Sequence, residues 1–139
     1  MKTPYLIFVV LVSTHINSVL AENTTINSLL QSYAAQGATE VNAEQGRYLW
    51  QKIYPANGEF SQRSCASCHT EELTAPGKHV KTNKPIEPMA PSVNPQRLTD
   101  QKKIEKWFKR NCKWTMGREC TAQEKADFLL YLYKQDTRS

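Results

Sequence analysis

Cys65-Ala66-Ser67-Cys68-His69 places two thiols three positions apart, with an imidazole directly after the second. In a C-x-x-C-H run the thiols add to the vinyl groups of a haem and the imidazole meets the iron. Five residues therefore supply both the attachment and one axial ligand. The run occurs once, which predicts one covalent haem c per chain. The other chemistry open to these thiols is half of a structural zinc site, which needs two more Cys or His ligands. Cys112, Cys120 and His79 are available, but a Cys separation of eight is not a zinc-knuckle spacing.

The N-terminus agrees with the haem reading. Lys2 precedes an apolar run from Tyr5 to Val12, and Val19-Leu20-Ala21 offers small residues for cleavage. Residues 1–21 read as a secretory signal peptide whose apolar run is too short to span a bilayer. The alternative is an uncleaved anchor, against which the polar break Ser13-Thr14-His15 argues. Bacteria attach haem covalently outside the cytoplasmic membrane, so signal and motif together predict a periplasmic protein without stable membrane insertion after cleavage.

Residues 22–139 then form one monohaem domain with 17 basic and 13 acidic side chains, a formal charge of +4. So modest an excess, with no nucleic-acid-binding signature, excludes DNA and RNA as expected partners. Cys112 and Cys120 remain after haem attachment and enclose Lys-Trp-Thr-Met-Gly-Arg-Glu. Export lets them oxidise to a disulfide, which in the chain-entropy account contributes about 2.5 kcal/mol for so short a loop. Two free thiols are the alternative.

Several elements must position these groups. Asn23-Thr24-Thr25 can cap a first helix with Ile26, Leu29, Leu30 and Tyr33 at helical spacing, ended by Gly37. A second begins near Asn42, with Gly46 and Trp50 on one face, so a partner helix can approach over the glycine. Pro55 and Gly58 break the chain before the motif. From Glu71 to Pro95 the reading is largely irregular, because five prolines remove donors and disfavour helix before themselves. A third helix starts at Thr99-Asp100 and runs to about Cys112. Thr121-Ala122-Gln123-Glu124 is a capping box opening a last helix through Tyr133. Its apolar residues Phe128 to Leu132 predict burial on more than one side.

Function turns on the sixth coordination position of the iron. Met89, in a Pro-Met-Ala-Pro loop, offers a soft thioether that favours ferrous iron and closes the site. Met116 and His79 are further candidates. Asn111 falls on one face of the third helix with Ile104, Trp107 and Phe108, a carboxamide at the end of an apolar stripe. A buried amide needs a partner. Periodicity alone leaves open whether that partner is iron or a local C-cap hydrogen bond.

Helices before and after a haem loop, with a glycine on the first and aromatics on the last, resemble the class I cytochrome c fold, an all-α arrangement around one covalent haem. The segment from Cys65 to Leu132 resembles more closely the sphaeroides haem protein family. The stretches that carry the likeness are CASCH, KPIEPMAPS, KIEKWFKRNC and GRECTAQEKADFLLYL, with AEQGRYLW fitting more loosely. In that family the asparagine directly before the first disulfide cysteine ligates ferric iron, which assigns the role to Asn111, ahead of Cys112. The family typically has a different apolar residue where this chain has Met89, so Met89 stays the alternative ligand. An amide oxygen suits ferric iron and is poor for ferrous iron, so reduction is expected to release Asn111 and admit a small ligand such as oxygen or nitric oxide.

Lys102, Lys103, Lys106, Lys109, Arg110 and Lys113 are expected on the opposite face of that helix as one basic stripe. Such a stripe is either a solvated face or a docking surface for an acidic redox partner, a multihaem or membrane cytochrome. Trp114 and Tyr131 either pack the haem or fill the core. The resulting expectation is an exported electron-transfer cytochrome with a His/Asn-ligated ferric haem. The alternatives are a His/Met-ligated closed shuttle, or a haem enzyme or sensor acting on oxygen, peroxide or nitrogen oxides. No paired general acid and base can be identified, so the sequence names no substrate.

Overall fold

Local capping chemistry sets most of the helix boundaries. The computed structural model describes residues 24–55 and 61–134. The signal peptide of residues 1–21, the Asn23 cap and the Gly58 break lie outside the described residues. Helix α1 (Thr24–Ala35) turns Ile26, Leu29 and Tyr33 inward. Gly37, at φ +99°, lets the chain leave it in a conformation costly for other residues. Helix α2 (Ala43–Gln51) starts at Asn42, whose side chain accepts from the Glu44 and Gln45 amides.

The next stretch contains short ladders that alternation does not announce. Strand β1 (Tyr54–Pro55) pairs antiparallel with β2 (Gln62–Arg63). The motif itself forms α3 (Ala66–His69). The proline-rich stretch holds a small hairpin, with Gly77↔Ile86 and Lys78↔Pro85 joining β3 (Gly77–Lys78) to β4 (Pro85–Ile86). Pro85 is tolerated because the ladder is two residues long, and Asn83 supplies a positive φ of 56° at the turn.

Helix α4 (Gln101–Met116) is opened by Asp100, whose carboxylate accepts from the Lys103 amide at 3.0 Å. It continues one turn past the expected end near Cys112. Nothing between Cys112 and Met116 breaks a helix, and the terminator is Gly117 at φ +74°. Helix α5 (Ala122–Lys134) is opened by the capping box. Thr121 Oγ1 accepts from the Glu124 amide at 3.2 Å, and the Glu124 carboxylate accepts from the Thr121 amide at 2.9 Å.

These elements give an all-α fold in which α5 is the central post, buried from Ala126 to Leu129 and at Tyr131 and Leu132. Helices α1 and α2 pack on it. Each fully buried Leu or Ile contributes about 1.5–3 kcal/mol relative to exposure. Helix α4 is fastened by the Cys112–Cys120 disulfide and by a polar clasp. In that clasp the Tyr33 hydroxyl donates to Glu105 at 2.5 Å, and Glu105 pairs with Lys125 at 2.8 Å.

Candidate functional site

Helix α3 is one turn long and needs outside support. Ser64 and Ser67 provide part of it, each side-chain oxygen accepting from the other's backbone amide at 3.0–3.1 Å. The His69 amide closes the turn on the Cys65 carbonyl at 3.0 Å. Thr70, at φ +65°, then turns the chain away, and its carbonyl accepts from Trp50 Nε1 at 2.8 Å. Strand β3 backs so closely on α3 that a Cβ at Gly77 would collide with the Cys68 carbonyl. The backbone on both sides of His69 is thus held in place, and the Trp50 ring lies 5.5 Å from the imidazole.

Electrostatics favour a ligating imidazole. Burial, then the charges of Arg97 and His79, hold the His69 pKa down to about 4, so the ring is neutral at ordinary pH. Metal ligation by histidine requires that neutral form. His69 Nδ1 is buried with no hydrogen-bond partner among the described residues. Burial also pushes the Cys65 thiol up to about 12, so it is not a ready thiolate for a metal. Cys112 and Cys120 are bonded to each other, which leaves them unable to complete a zinc set.

A cavity of about 570 Å³ opens over the motif, within the range of small-molecule and cofactor sites. Cys65, Cys68 and His69 line one wall, and α4 forms another through Ile104, Phe108 and Asn111. Trp50, Phe128 and Leu132 make the floor apolar. Among the described lining residues, Lys84, Arg97, Lys103 and Arg110 are cationic and Asp100 alone is acidic. Apolar walls, two thiols, a neutral imidazole and an excess of cations fit a flat, apolar cofactor carrying two carboxylates, which is haem.

The candidate sixth ligands converge on this space. Asn111, Met89, His79 and Met116 all line the cavity. Asn111 is half-buried, one residue before the disulfide. Met89 is half-buried on a loop whose Met89 and Ala90 amides both donate to the Leu73 carbonyl at 2.9 Å. Met116 packs its sulfur 3.4 Å from Cys120 Sγ. Trp114 belongs to the cavity, with the Arg63 guanidinium 4.4 Å over its ring, whereas Tyr131 belongs to the core beside Trp50.

The basic stripe divides, which corrects the single opposite face read from the sequence. Lys103, Trp107 and Arg110 stand at i, i+4 and i+7, so these two cations fall beside the cavity with the tryptophan. Lys102, Lys106, Lys109 and Lys113 are exposed, and Lys113 pairs with Glu119 at 3.0 Å. Sequence reasoning passed over Arg97 and the hydrogen bond from Trp50 to Thr70. The only local signal for Arg97 is an arginine directly ahead of Leu98, which is buried.

Comparison with known proteins adds independent findings. A family described as a domain of unknown function, DUF1924, matches residues 36–132. The chain is 38% identical over 128 residues to cytochrome c-type protein SHP of Cereibacter sphaeroides, covering 92% of this chain and 98% of that one. It is 35% identical over 138 residues to cytochrome c″ of Methylophilus methylotrophus, covering 94% and 92%. The structure of oxidised SHP, an oxygen-binding cytochrome c, superposes with a TM-score of 0.73 at 38% identity, over 82% of this chain and 100% of that one. A solution structure of M. methylotrophus cytochrome c″, which bears on haem-ligand detachment, gives 0.69 at 32% identity over 83% and 97%.

Proposed function

This chain belongs to the DUF1924 family and to that of the cytochrome c-type protein SHP, and we propose from that membership an exported electron-transfer cytochrome with a releasable iron ligand. It is a c-type cytochrome with one haem c. Cys65 and Cys68 hold the haem through thioether bonds, and His69 is the proximal ligand. Bound there, haem supplies one-electron chemistry and a coordination position for small molecules.

Asn111 would serve as the second ligand in the ferric state, its carboxamide oxygen being a hard donor that ferrous iron holds poorly. Reduction would then favour release of its side chain, leaving room for a small ligand such as oxygen or nitric oxide. The Cys112–Cys120 disulfide keeps the Asn111 segment at the cavity wall while the side chain swings. The observation that carries this reading is the placing of Asn111 and His69 on the walls of one cavity. The likeness to an oxygen-binding cytochrome and to a protein studied for haem-ligand detachment supports it. After removal of residues 1–21 the protein is periplasmic, and no helix among the described residues is long and apolar enough to cross a membrane. An acidic multihaem or membrane cytochrome docks at Lys102, Lys106 and Lys109.

The second reading is a closed shuttle with Met89 as ligand, favoured by the place of Met89 among the residues that line the same cavity. Optical and magnetic spectra of both oxidation states separate the two. Asparagine release gives high-spin ferrous haem that binds carbon monoxide quickly, whereas thioether ligation leaves it low-spin and slow to react.

A further inference from the structure

Arg97 is held in place by the backbone of the loop it faces. Its Nε donates to the Pro88 carbonyl and its Nη2 to the Glu87 carbonyl, both at 2.8 Å. Asn94 Nδ2 reaches the same Pro88 carbonyl at 3.2 Å. The guanidinium is half-buried on the cavity wall, and burial lowers its pKa while the Glu87 charge opposes the shift. Nη1 has no hydrogen-bond partner, and no carboxylate lies within ion-pair distance of Arg97 among the described residues. Partly buried charges are ordinarily paired, and a guanidinium matches a carboxylate in a two-pronged hydrogen bond.

The other cations at the cavity are placed differently. Lys84 and Lys103 are exposed point charges, and Arg110 lies 5.0 Å over the Trp107 ring. Asp100, the acidic lining residue, accepts from the Lys103 amide as the α4 cap.

We propose that Arg97 binds one haem carboxylate and, through the Glu87 and Pro88 carbonyls, ties the loop carrying Met89 to the cofactor. This deepens the haem reading and rests on it. Arg97 acts as a positioning residue, since it sets the charge and the loop around the iron without ligating it. Loss of its charge leaves the carboxylate uncompensated beside the iron and favours the ferric state.

The test uses mature holoprotein carrying Arg97→Gln or Arg97→Lys, with Lys52→Gln as a control for charge removed elsewhere on the surface. The mass of the wild type first establishes the covalent haem, and its absence would remove the haem reading rather than the arginine's role alone. Arg97→Gln should shift the redox equilibrium about tenfold toward the oxidised form, a fall of about 59 mV for one electron. It should also move the haem-carboxylate band in the resonance Raman spectrum, while Lys52→Gln does neither. Arg97→Lys, which keeps the charge but replaces the fork by a point donor, should hold the potential and still move the band. An unmoved band and potential in Arg97→Gln would overturn the proposal and leave Arg97 as a loop clamp. Should Arg97→Gln fail to mature, an unmoved band in Arg97→Lys overturns it equally.

Discussion

Gly46 of α2 lies against the backbone carbonyl of Asp127 in α5, too close for any side chain to stand between them. The crossing is reinforced from the side chain of the same aspartate, buried at 2% exposure, which accepts from the Asn42 amide at 2.7 Å and from Gln123 Nε2 at 3.0 Å. One turn along α2, Trp50 reaches the Thr70 carbonyl just beyond His69. A contact between two helices thereby helps hold the backbone that carries His69.

Gly46→Ala should therefore destabilise the fold. A Cβ would collide with Asp127 backbone atoms and stand 2.8 Å from Tyr131 Cβ, so α2 must shift. Overpacking of this kind costs about 1–3 kcal/mol. Urea denaturation followed by circular dichroism measures it, and an unchanged midpoint would show that the crossing has slack.

Glu124 gives the acid side of stability a definite sign. The Arg118 hydrogen bond, first among its causes, holds the Glu124 carboxyl below its ordinary value of 4.5, and the Thr121 amide adds to this. A carboxyl depressed on folding contributes stability that is present above its unfolded pKa and lost as pH falls through the folded one. Glu124→Gln keeps an acceptor for the Thr121 amide but removes the charge that pairs with Arg118, so it should cost at most about 1 kcal/mol at pH 7, with the difference narrowing below about pH 4. Paired denaturation curves across that range decide it, and a penalty independent of pH would point to packing instead.

Some of this architecture is legible in the sequence because its causes are local. The Asn42 cap, the Thr121–Glu124 box and the Gly46–Trp50 spacing each involve neighbours in the chain, and each appears where its residues put it. The end of α4 is less legible, since only Gly117 forbids continuation and nothing marks Cys112 as a stop. The β3–β4 hairpin is hidden by its prolines, and the role of Arg97 depends on which loop closes the cavity. Choice of the sixth ligand is hardest, because Asn111, Met89, His79 and Met116 all reach the cavity and helical periodicity carries no information on donor hardness.

One haem per chain, attached at Cys65 and Cys68, should appear as a single adduct in the mass of the mature protein. His69→Gly should block maturation or leave the iron poorly ligated. Normal spectra in that variant would remove His69 as proximal ligand.

The exposed lysines of α4 should speed electron delivery. Replacing Lys102, Lys106 and Lys109 with glutamate should slow reduction by an acidic partner at low salt. The difference should shrink as ionic strength rises, because the Debye length falls from about 30 Å at 0.01 M to about 10 Å at 0.1 M. Stopped-flow rates that match the wild type at every ionic strength would make these lysines a solvated face.

Asn111→Ala and Met89→Leu test the ligand assignment against each other. Asn111 stands one residue before Cys112 and lines the cavity from α4, with an oxygen donor mismatched to ferrous iron. Its removal leaves Cys65, Cys68 and His69 untouched, so haem attachment should persist. The ferric site should then admit water or added anions, visible as a high-spin or anion-shifted spectrum, while the ferrous spectrum changes much less. Met89→Leu is a near-isosteric change at a half-buried position and should cost no more than about 1 kcal/mol of packing. Both spectra should survive it. The reverse pattern, in which Met89→Leu abolishes low-spin ferrous haem and Asn111→Ala changes neither state, would assign the iron to Met89 and make the protein a closed electron shuttle.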